Sequence, residues 1–377
     1  MTLSLGGAMH LTVSTQRREG TKDTWGKPSR LCALVVISCL LFLTACRSEV
    51  KTPLKIFIAG SLVVPFAELE EVYEELHPEI DVQVEAHGSI QVIRHVTEIH
   101  DEIDLVVPAD YSLIPMLMYT ATVPESDQAY ADWNIQWAGN RLSLAYMPES
   151  EFAEQVNSEN WYEIIANPEV RFGLSDPRFD AAGYRTLMIV QLAEQYYGDP
   201  AIFEKIFLGR FEQPIQAQKE SDQYVIHVPE LLETTKTSNI LVRGGSVALL
   251  ALLESGDIDY AFEYESVARQ HGLEYVELPP ELNLGEANHA AEYGTVQVVL
   301  DYRRFTSVIP IFQGEVITYG LTIPSNAPHQ TEAEAFVDFL LSEAGRAIMD
   351  ANSHPMWLEI LVDHPNALPD SLQANIP

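Results

Sequence analysis

The sequence predicts an α/β fold with a mainly parallel sheet. From Leu54 onward, short apolar runs alternate with amphipathic stretches, which is typical of strands that alternate with helices. The chain has 377 residues, of which 47% are hydrophobic and 20% charged, so it has material for two globular domains. Its three cysteines all lie within the first 46 residues, so packing and not disulfides must stabilise the remainder.

The first predicted unit has the order βαβαβ. Its predicted strands span residues 54–59, 80–85 and 104–107, and its predicted helices span 65–76 and 90–99. Pro65 stands in the first turn of the first helix, where a missing N–H is tolerated, and apolar residues recur three to four positions apart.

A second unit is predicted to begin near Arg141, after a polar and aromatic connector at 132–140. Predicted strands span 171–174, 240–243, 258–263, 296–300 and 315–323, and predicted helices span 183–197, 247–253 and 331–347. The last elements bring the chain back to the first unit. The predicted organisation is one lobe at 54–140 and 277–365, a second lobe at 141–276 and a C-terminal tail at 366–377.

The N-terminal segment is predicted to be a leader. Arg30 precedes an apolar run at 31–43, which suits a signal peptide and is shorter than the roughly 20 residues of a membrane span. The run ends in LTAC (43–46), which resembles the bacterial lipobox. We therefore expect a signal peptide at 1–45 with a long N-terminal extension, lipidation at Cys46 and a tether at 46–53. This would anchor the protein outside the cytoplasm, on the outer face of the cell membrane or in the periplasm.

The charge balance argues against nucleic acid as a partner. Lys and Arg total 22 against 55 Asp and Glu, a formal charge of −33. Such a surface repels a polyphosphate backbone.

Two glycine-serine turns are the first candidates for a binding site. Gly60-Ser61 and Gly88-Ser89 each follow a predicted strand and open a helix. Backbone N–H groups and hydroxyls at that place suit an oxyanion, since ligands of open α/β sheets bind at the carboxyl ends of strands. Taken alone, the serines could equally be plain N-caps.

Several segments resemble the tungstate- and molybdate-binding lipoproteins of ABC importers. They are AGSLVVPF (59–66), AHGSIQVIRHVTEIHDEIDLVVPADYSLIPML (86–117), RFGLSDPRFDAAGYRTLM (171–188), GDIDYAFEYESVARQHGLEYVELP (256–279) and YGLTIPSNAP (319–328). The resemblance covers almost all of the chain after Cys46. It implies a type II periplasmic-binding-protein fold, in which two α/β lobes with a hinge hold an oxyanion in the cleft between them.

The same resemblance implies a set of ligand-binding residues. They are Gly60, Ser61, Ser89, Asp180, Ala181, Ala182, Ser246 and Tyr264. The hydroxyls and the amides beside the predicted helix can donate hydrogen bonds to an anion. Asp180 would repel an oxyanion, but in this family the corresponding aspartate and a glutamate are held to bind the metal centre directly.

One position departs from the family pattern. Ser246 stands 18 residues before Tyr264, where the second carboxylate is expected. Binding could then be tetrahedral, with Ser246 donating and Asp180 turned away or protonated, or six-coordinate with another carboxylate. Glu263 is a substitute, although strand alternation would aim it away from the face of Tyr264.

Other candidates have weaker signals. His87, His95 and His100 lack the spacing of a metal site, because His95 and His100 do not share a helix face. Arg185 and Arg243 could supply charge near an anion or form surface ion pairs. No nucleophile or nucleotide motif is present.

The resemblance implies a binding protein and not an enzyme. We expect a monomeric receptor that captures tungstate or molybdate, uses no cofactor and delivers the anion to the permease and ATPase subunits of an ABC transporter. The alternatives are a receptor for sulfate or phosphate, an exported hydrolase that uses Asp180 with a histidine, and a purely structural lipoprotein.

Overall fold

The computed structural model describes residues 50–301 and 310–373. Residues from Lys51 onward form one compact unit. The predicted signal peptide, the lipidation site Cys46 and residues 374–377 of the predicted tail lie outside the described residues. Within the described ranges, no helix combines the length and apolar character that crossing a membrane requires.

The strands follow the chain in this order: β1 (Thr52–Ala59), β2 (Ile80–His87), β3 (Leu105–Val107), β4 (Ile135–Gly139), β5 (Leu142–Tyr146), β6 (Phe172–Ser175), β7 (Gln216–Glu220), β8 (Gln223–Val228), β9 (Ile240–Arg243), β10 (Tyr260–Tyr264), β11 (Glu274–Val276), β12 (Val296–Leu300), β13 (Ile311–Gln313), β14 (Thr318–Leu321) and β15 (Met356–Val362).

The α-helices are α1 (Val63–Leu76), α2 (Ser89–Arg94), α3 (Trp161–Ala166), α4 (Ala181–Tyr197), α5 (Ile202–Phe207), α6 (Val247–Ser255), α7 (Glu265–Gln270), α8 (Ala290–Tyr293), α9 (Gln330–Leu341), α10 (Glu343–Ala351) and α11 (Asp370–Gln373). Short 3₁₀ turns occur at Gly60–Leu62, Ala287–His289 and Pro365–Ala367, and π-helical segments at His95–Ile99 and Ile114–Met118.

The described strands form four sheets. β1 lies between β2 and β3, and all three are parallel. A mixed sheet has the order β11-β5-β10-β6-β9, in which β10, β6 and β9 are parallel. A third sheet has the order β13-β12-β8-β7, and an antiparallel sheet has the order β14-β4-β15. The α/β class is therefore confirmed, with parallel pairing concentrated in the first two sheets.

Strand pairing bears on the predicted lobe boundaries. β12 belongs to the residues assigned to the first lobe, yet it pairs in parallel with β8, which belongs to the second. Val296, Val298 and Leu300 are buried there, and the strand contacts α4. The two-lobe division itself stays a prediction.

The predicted single helix at 331–347 is wrong. α9 ends at Leu341 and α10 begins at Glu343, with Ser342 between them in an extended conformation. The hydroxyl of Ser342 accepts the backbone N–H of Gly345 at 3.3 Å and so caps α10. Amphipathic spacing continues across the break, so periodicity alone could not locate it.

Close backbone packing at the start of α4 requires a glycine. An added Cβ at Gly183 would lie 2.3 Å from the carbonyl oxygen of Ser175 and 2.6 Å from the backbone nitrogen of Pro177. Both neighbours are backbone atoms, which cannot rotate away as a side chain could. Gly183 therefore allows α4 to pack directly against the loop that follows β6.

We expect Gly183→Ala to lower the free energy of unfolding by about 2 kcal/mol or more, because overpacking forces backbone shifts. Gly244→Ala is the matched control, since an added Cβ there meets nothing within 4 Å. Urea denaturation monitored by circular dichroism measures both. Equal stability of the two variants would contradict the packing argument.

Candidate functional site

The two glycine-serine turns lie side by side. Residues Gly60–Leu62 follow β1 directly, and Ser89 begins α2 just after β2. β1 and β2 are parallel neighbours, with Ala59 opposite His87, so both turns leave the same edge of the sheet. This is the arrangement that the sequence predicted for these turns.

Both glycines are required by the segments packed on them. An added Cβ would lie 2.5 Å from Cγ2 of Val247 at Gly60, and 2.4 Å from the carbonyl oxygen of Phe179 at Gly88. The same carbonyl accepts the N–H of Ile90 at 3.1 Å. The turns therefore pack directly against residues next to Ser246 and Asp180.

Asp180 immediately precedes α4 and is buried. Its Oδ2 accepts the hydroxyl of Ser175 and the backbone N–H of Ser246, each at 2.8 Å. The first N–H groups of α4, on Ala181 and Ala182, have no acceptor within the helix and carry the positive end of its dipole. A carboxylate is thus held among neutral donors.

Two acidic side chains share this interior. Burial raises the pKa of Asp180, although the donors Ser175 and Ser246 and the nearby backbone N–H groups of Ser89 and Ala182 oppose the shift. Glu263 is also buried, and burial together with the negative charge of Asp180 raises its pKa to about 8. The nearby hydroxyl of Ser246 opposes this rise in pKa only in part. Neither carboxyl oxygen of Glu263 has a well-aligned hydrogen-bond partner among the described residues. The pKa of Glu263 therefore lies above neutral pH, which favours its protonated form.

Three hydroxyls complete the set of predicted donors. Ser61 Oγ lies 2.6 Å from the hydroxyl of Tyr319, and Ser89 Oγ accepts the N–H of Ala109 at 2.9 Å. The hydroxyl of Tyr264 accepts a hydrogen bond from Arg185 at 2.8 Å. The rings of Tyr264 and Tyr319 are 6.1 Å apart, so these groups occupy one buried neighbourhood.

Arg185 is part of the site, and the alternative of a surface ion pair is wrong for it. The side chain is buried, donates to the carbonyl of Ala109 at 2.8 Å and lies 3.6 Å from the carboxylate of Asp110. Burial works against its charge, but the surrounding Tyr264, Tyr184 and Asp110 outweigh burial, so the pKa of Arg185 stays above its ordinary value. Arg243 is exposed and donates to the carbonyl of Val242.

A cavity of about 320 Å³ opens beside these residues. Of the eight predicted ligand residues, Gly60, Asp180 and Ser246 line it, together with Gly88 and Gly245 among others. The other five are buried and do not line it: Ser61, Ser89, Ala181, Ala182 and Tyr264.

The histidines do not form a metal site in the part of the chain that the structure describes. The rings of His87 and His95 are 4.5 Å apart, but Nδ1 of His100 bonds to the hydroxyl of Tyr130 instead. Over residues 50–301 and 310–373, no group of three or more His, Cys, Asp or Glu side chains is placed to hold a metal ion.

Sequence reasoning missed two residues of this neighbourhood and left two open. It did not identify Tyr319 or Asn140, and it assigned Arg185 and Glu263 no definite role. Tyr319 lies in a segment that carries the family resemblance, but its partner Ser61 is 258 positions away. No local pattern connects residues so far apart in the sequence.

The chain is similar to known solute-binding proteins. A family model described as bacterial extracellular solute-binding protein matches residues 54–352. An uncharacterized solute-binding protein of Methanococcus maripaludis is 40% identical over 78% of this chain and 85% of its own length. One of Staphylothermus marinus is 37% identical over 88% and 91%. Among solved structures, the periplasmic molybdate-binding protein of Azotobacter vinelandii superposes with a TM-score of 0.49 at 13% identity, covering 80% of this chain and 98% of that one.

The raised pKa of Glu263 predicts that the free energy of unfolding depends on pH. Its pKa is about 8 in the folded protein and ordinarily 4.5, so the cost of keeping it protonated is absent below pH 4.5 and grows as pH rises to 8. Because Gln resembles a protonated Glu, we expect Glu263→Gln to stabilise the ligand-free protein by about 3 kcal/mol at pH 7 and by almost nothing at pH 4.5.

Thermal unfolding of the wild type and the variant between pH 4.5 and 8 measures this difference. Glu154→Gln, at an exposed position, is the control and should change little at any pH. A stability gain that does not vary with pH would contradict the assignment of a raised pKa to Glu263.

Proposed function

The chain belongs to the family of bacterial extracellular solute-binding proteins, and from that premise we propose that it is a receptor for tungstate or molybdate. In this proposal Cys46 carries a lipid anchor outside the cytoplasm, and the loaded protein delivers its anion to the permease and ATPase subunits of an ABC importer. The receptor binds as a monomer, without a cofactor, and makes or breaks no covalent bond.

The observation that carries the proposal is the surroundings of the Asp180 carboxylate. A carboxyl oxygen accepts hydrogen bonds there from the hydroxyl of Ser175 and the backbone N–H of Ser246, at the N-terminus of a long helix. Groups that stabilise a carboxylate oxygen also stabilise an oxyanion oxygen, because both need donors and a favourable dipole. The hydroxyls of Ser61, Ser89 and Tyr264 add neutral donors to the same interior.

We propose tetrahedral, hydrogen-bonded binding over six-coordinate binding. Position 246 is a serine, and the raised pKa of Glu263, the substitute carboxylate, favours its protonated form, which is a poor metal ligand. Asp180 Oδ2 is already engaged by two donors. In this mode Asp180 opposes the anion by like charge instead of binding its metal centre.

A receptor for sulfate or phosphate is the second candidate. The hydrogen-bond donors proposed here also suit a smaller tetrahedral anion, and such an anion needs no carboxylate ligand. The hydrolase alternative has less support, because the bonded partners of Asp180 are Ser175 and Ser246 and not a histidine.

Isothermal titration of the purified protein with tungstate, molybdate, sulfate and phosphate tests the proposal. We expect tungstate and molybdate to bind roughly a hundredfold more tightly than sulfate and phosphate. Tighter binding of sulfate or phosphate would favour the second candidate. Absence of binding by all four anions would refute an oxyanion receptor.

Asp180→Asn distinguishes the two binding modes. We expect it to raise the affinity for molybdate about tenfold, because it removes a like charge and keeps an acceptor for Ser246. If Asp180 binds the metal centre directly, the affinity falls instead. Asp222→Asn, at an exposed position, makes the same change in net charge and should leave the affinity unchanged.

A further inference from the structure

We propose that Tyr319 and Asn140 are positioning residues that turn the hydroxyl proton of Ser61 toward the bound anion, so that the site selects anions that carry no proton of their own. This inference rests on the proposed function and deepens it. It assigns roles to two residues outside the predicted ligand set, and it narrows the substrate class to fully deprotonated oxyanions.

The side-chain amide of Asn140 has a defined orientation. Its Oδ1 accepts the backbone N–H of Arg141 at 3.0 Å, so the Nδ2 group must point the other way. Nδ2 donates to the hydroxyl of Ser266 at 2.9 Å and to that of Tyr319 at 3.3 Å. An NH₂ group can only donate, so Tyr319 is the acceptor in this contact.

The direction of the next hydrogen bond follows from that contact. The hydroxyl of Tyr319 accepts from Asn140, and among the described residues its only other partner is Ser61 Oγ at 2.6 Å. The proton of Tyr319 is therefore directed at Ser61, which becomes the acceptor. Tyr319 and Ser61 are both buried. The proton of Ser61 itself is left for another acceptor.

Ser89 and Tyr264 are oriented in the same sense by simpler means. Ser89 accepts from the backbone N–H of Ala109, and Tyr264 accepts from the guanidinium of Arg185. The N–H of Ala109 and the guanidinium of Arg185 can only donate, so the direction of these two hydrogen bonds needs no third residue to set it. The partner of Ser61 is a hydroxyl, which could donate or accept, and Asn140 removes that ambiguity.

Each of these three hydroxyls thus has one lone pair engaged by a protein donor and keeps its proton for another acceptor. A fully deprotonated dianion such as molybdate offers acceptors only and can receive all three. Hydrogen phosphate, the main form of phosphate at pH 7.5, carries one O–H group. In this site one of the three hydroxyls would have to turn its own proton away in order to accept that O–H group, and the anion would then lose a hydrogen-bond donor. If no hydroxyl turns, the O–H group of the phosphate is buried without a partner, which is costly.

Tyr319→Phe tests the inference, because it removes the hydroxyl and frees Ser61 to rotate. We expect molybdate affinity at pH 7.5 to fall about tenfold and the ratio of molybdate to phosphate affinity, measured by competition, to fall by a similar factor. Tyr130→Phe is the matched control. Tyr130 is also buried, but its hydroxyl bonds to His100, so affinity and selectivity should remain those of the wild type.

A double-mutant cycle with Ser61→Ala separates positioning from a general structural effect. If Tyr319 acts through Ser61, adding Tyr319→Phe to Ser61→Ala changes molybdate affinity less than about twofold. An undiminished tenfold loss in the Ser61→Ala background, or an unchanged selectivity ratio in Tyr319→Phe, would overturn the inference.

A variant that does not fold and a wild type that binds no anion are also informative outcomes. If Tyr319→Phe does not fold, Asn140→Leu replaces it, because it removes the donor that orients Tyr319 and should lower the same selectivity ratio; an unchanged ratio overturns the inference. If the wild type binds molybdate and the Tyr319 variant has the same molybdate affinity and the same selectivity ratio as the wild type, only the positioning role is overturned. A wild type that binds none of the anions overturns the proposed function and this inference together.

Discussion

The site depends on how a buried guanidinium is satisfied. Arg185 cannot lose its proton, so wherever it is buried it must be surrounded by acceptors. It finds them in the carbonyl of Ala109, the hydroxyl of Tyr264 and the carboxylate of Asp110, which follow β3 or end β10. The N–H of Ala109 in turn bonds to Ser89. Arg185 therefore connects Ser89, through Ala109, with Tyr264.

The protein carries a formal charge of −33, and yet its candidate site suits an anion. The two facts are compatible because surface charges are screened beyond about 8 Å at physiological salt, whereas buried dipoles are not. Inside the site, Ser175 and Ser246 donate hydrogen bonds to Asp180, and burial together with the charge of Asp180 raises the pKa of Glu263, which favours its uncharged form. Local donors and not net charge decide what this interior can hold.

The features that sequence reasoning located correctly are local in the chain. The strand, turn and helix around Gly60 and Gly88, and the helix that starts after Asp180, depend on residues a few positions apart. The same local reasoning joined α9 and α10 into one helix, because the apolar spacing continues across Ser342. It also left Arg185 undecided, since an arginine on a helix carries no sign of whether it will be buried.

By itself, the sequence determined the α/β class, the place of the glycine-serine turns at strand ends and the family to which the chain belongs. These follow from periodicity, from turn chemistry and from long matching segments, all of which can be seen along one dimension. Only the tertiary structure decided that the hydroxyl of Tyr319 contacts both Ser61 and Asn140, and that β12 pairs with β8. It also decided that Asp180 lies close enough to Glu263 for its charge to raise the pKa of Glu263. Such contacts join residues far apart in the chain, and their partners are chosen by the packing of whole sheets and helices, which no local pattern encodes.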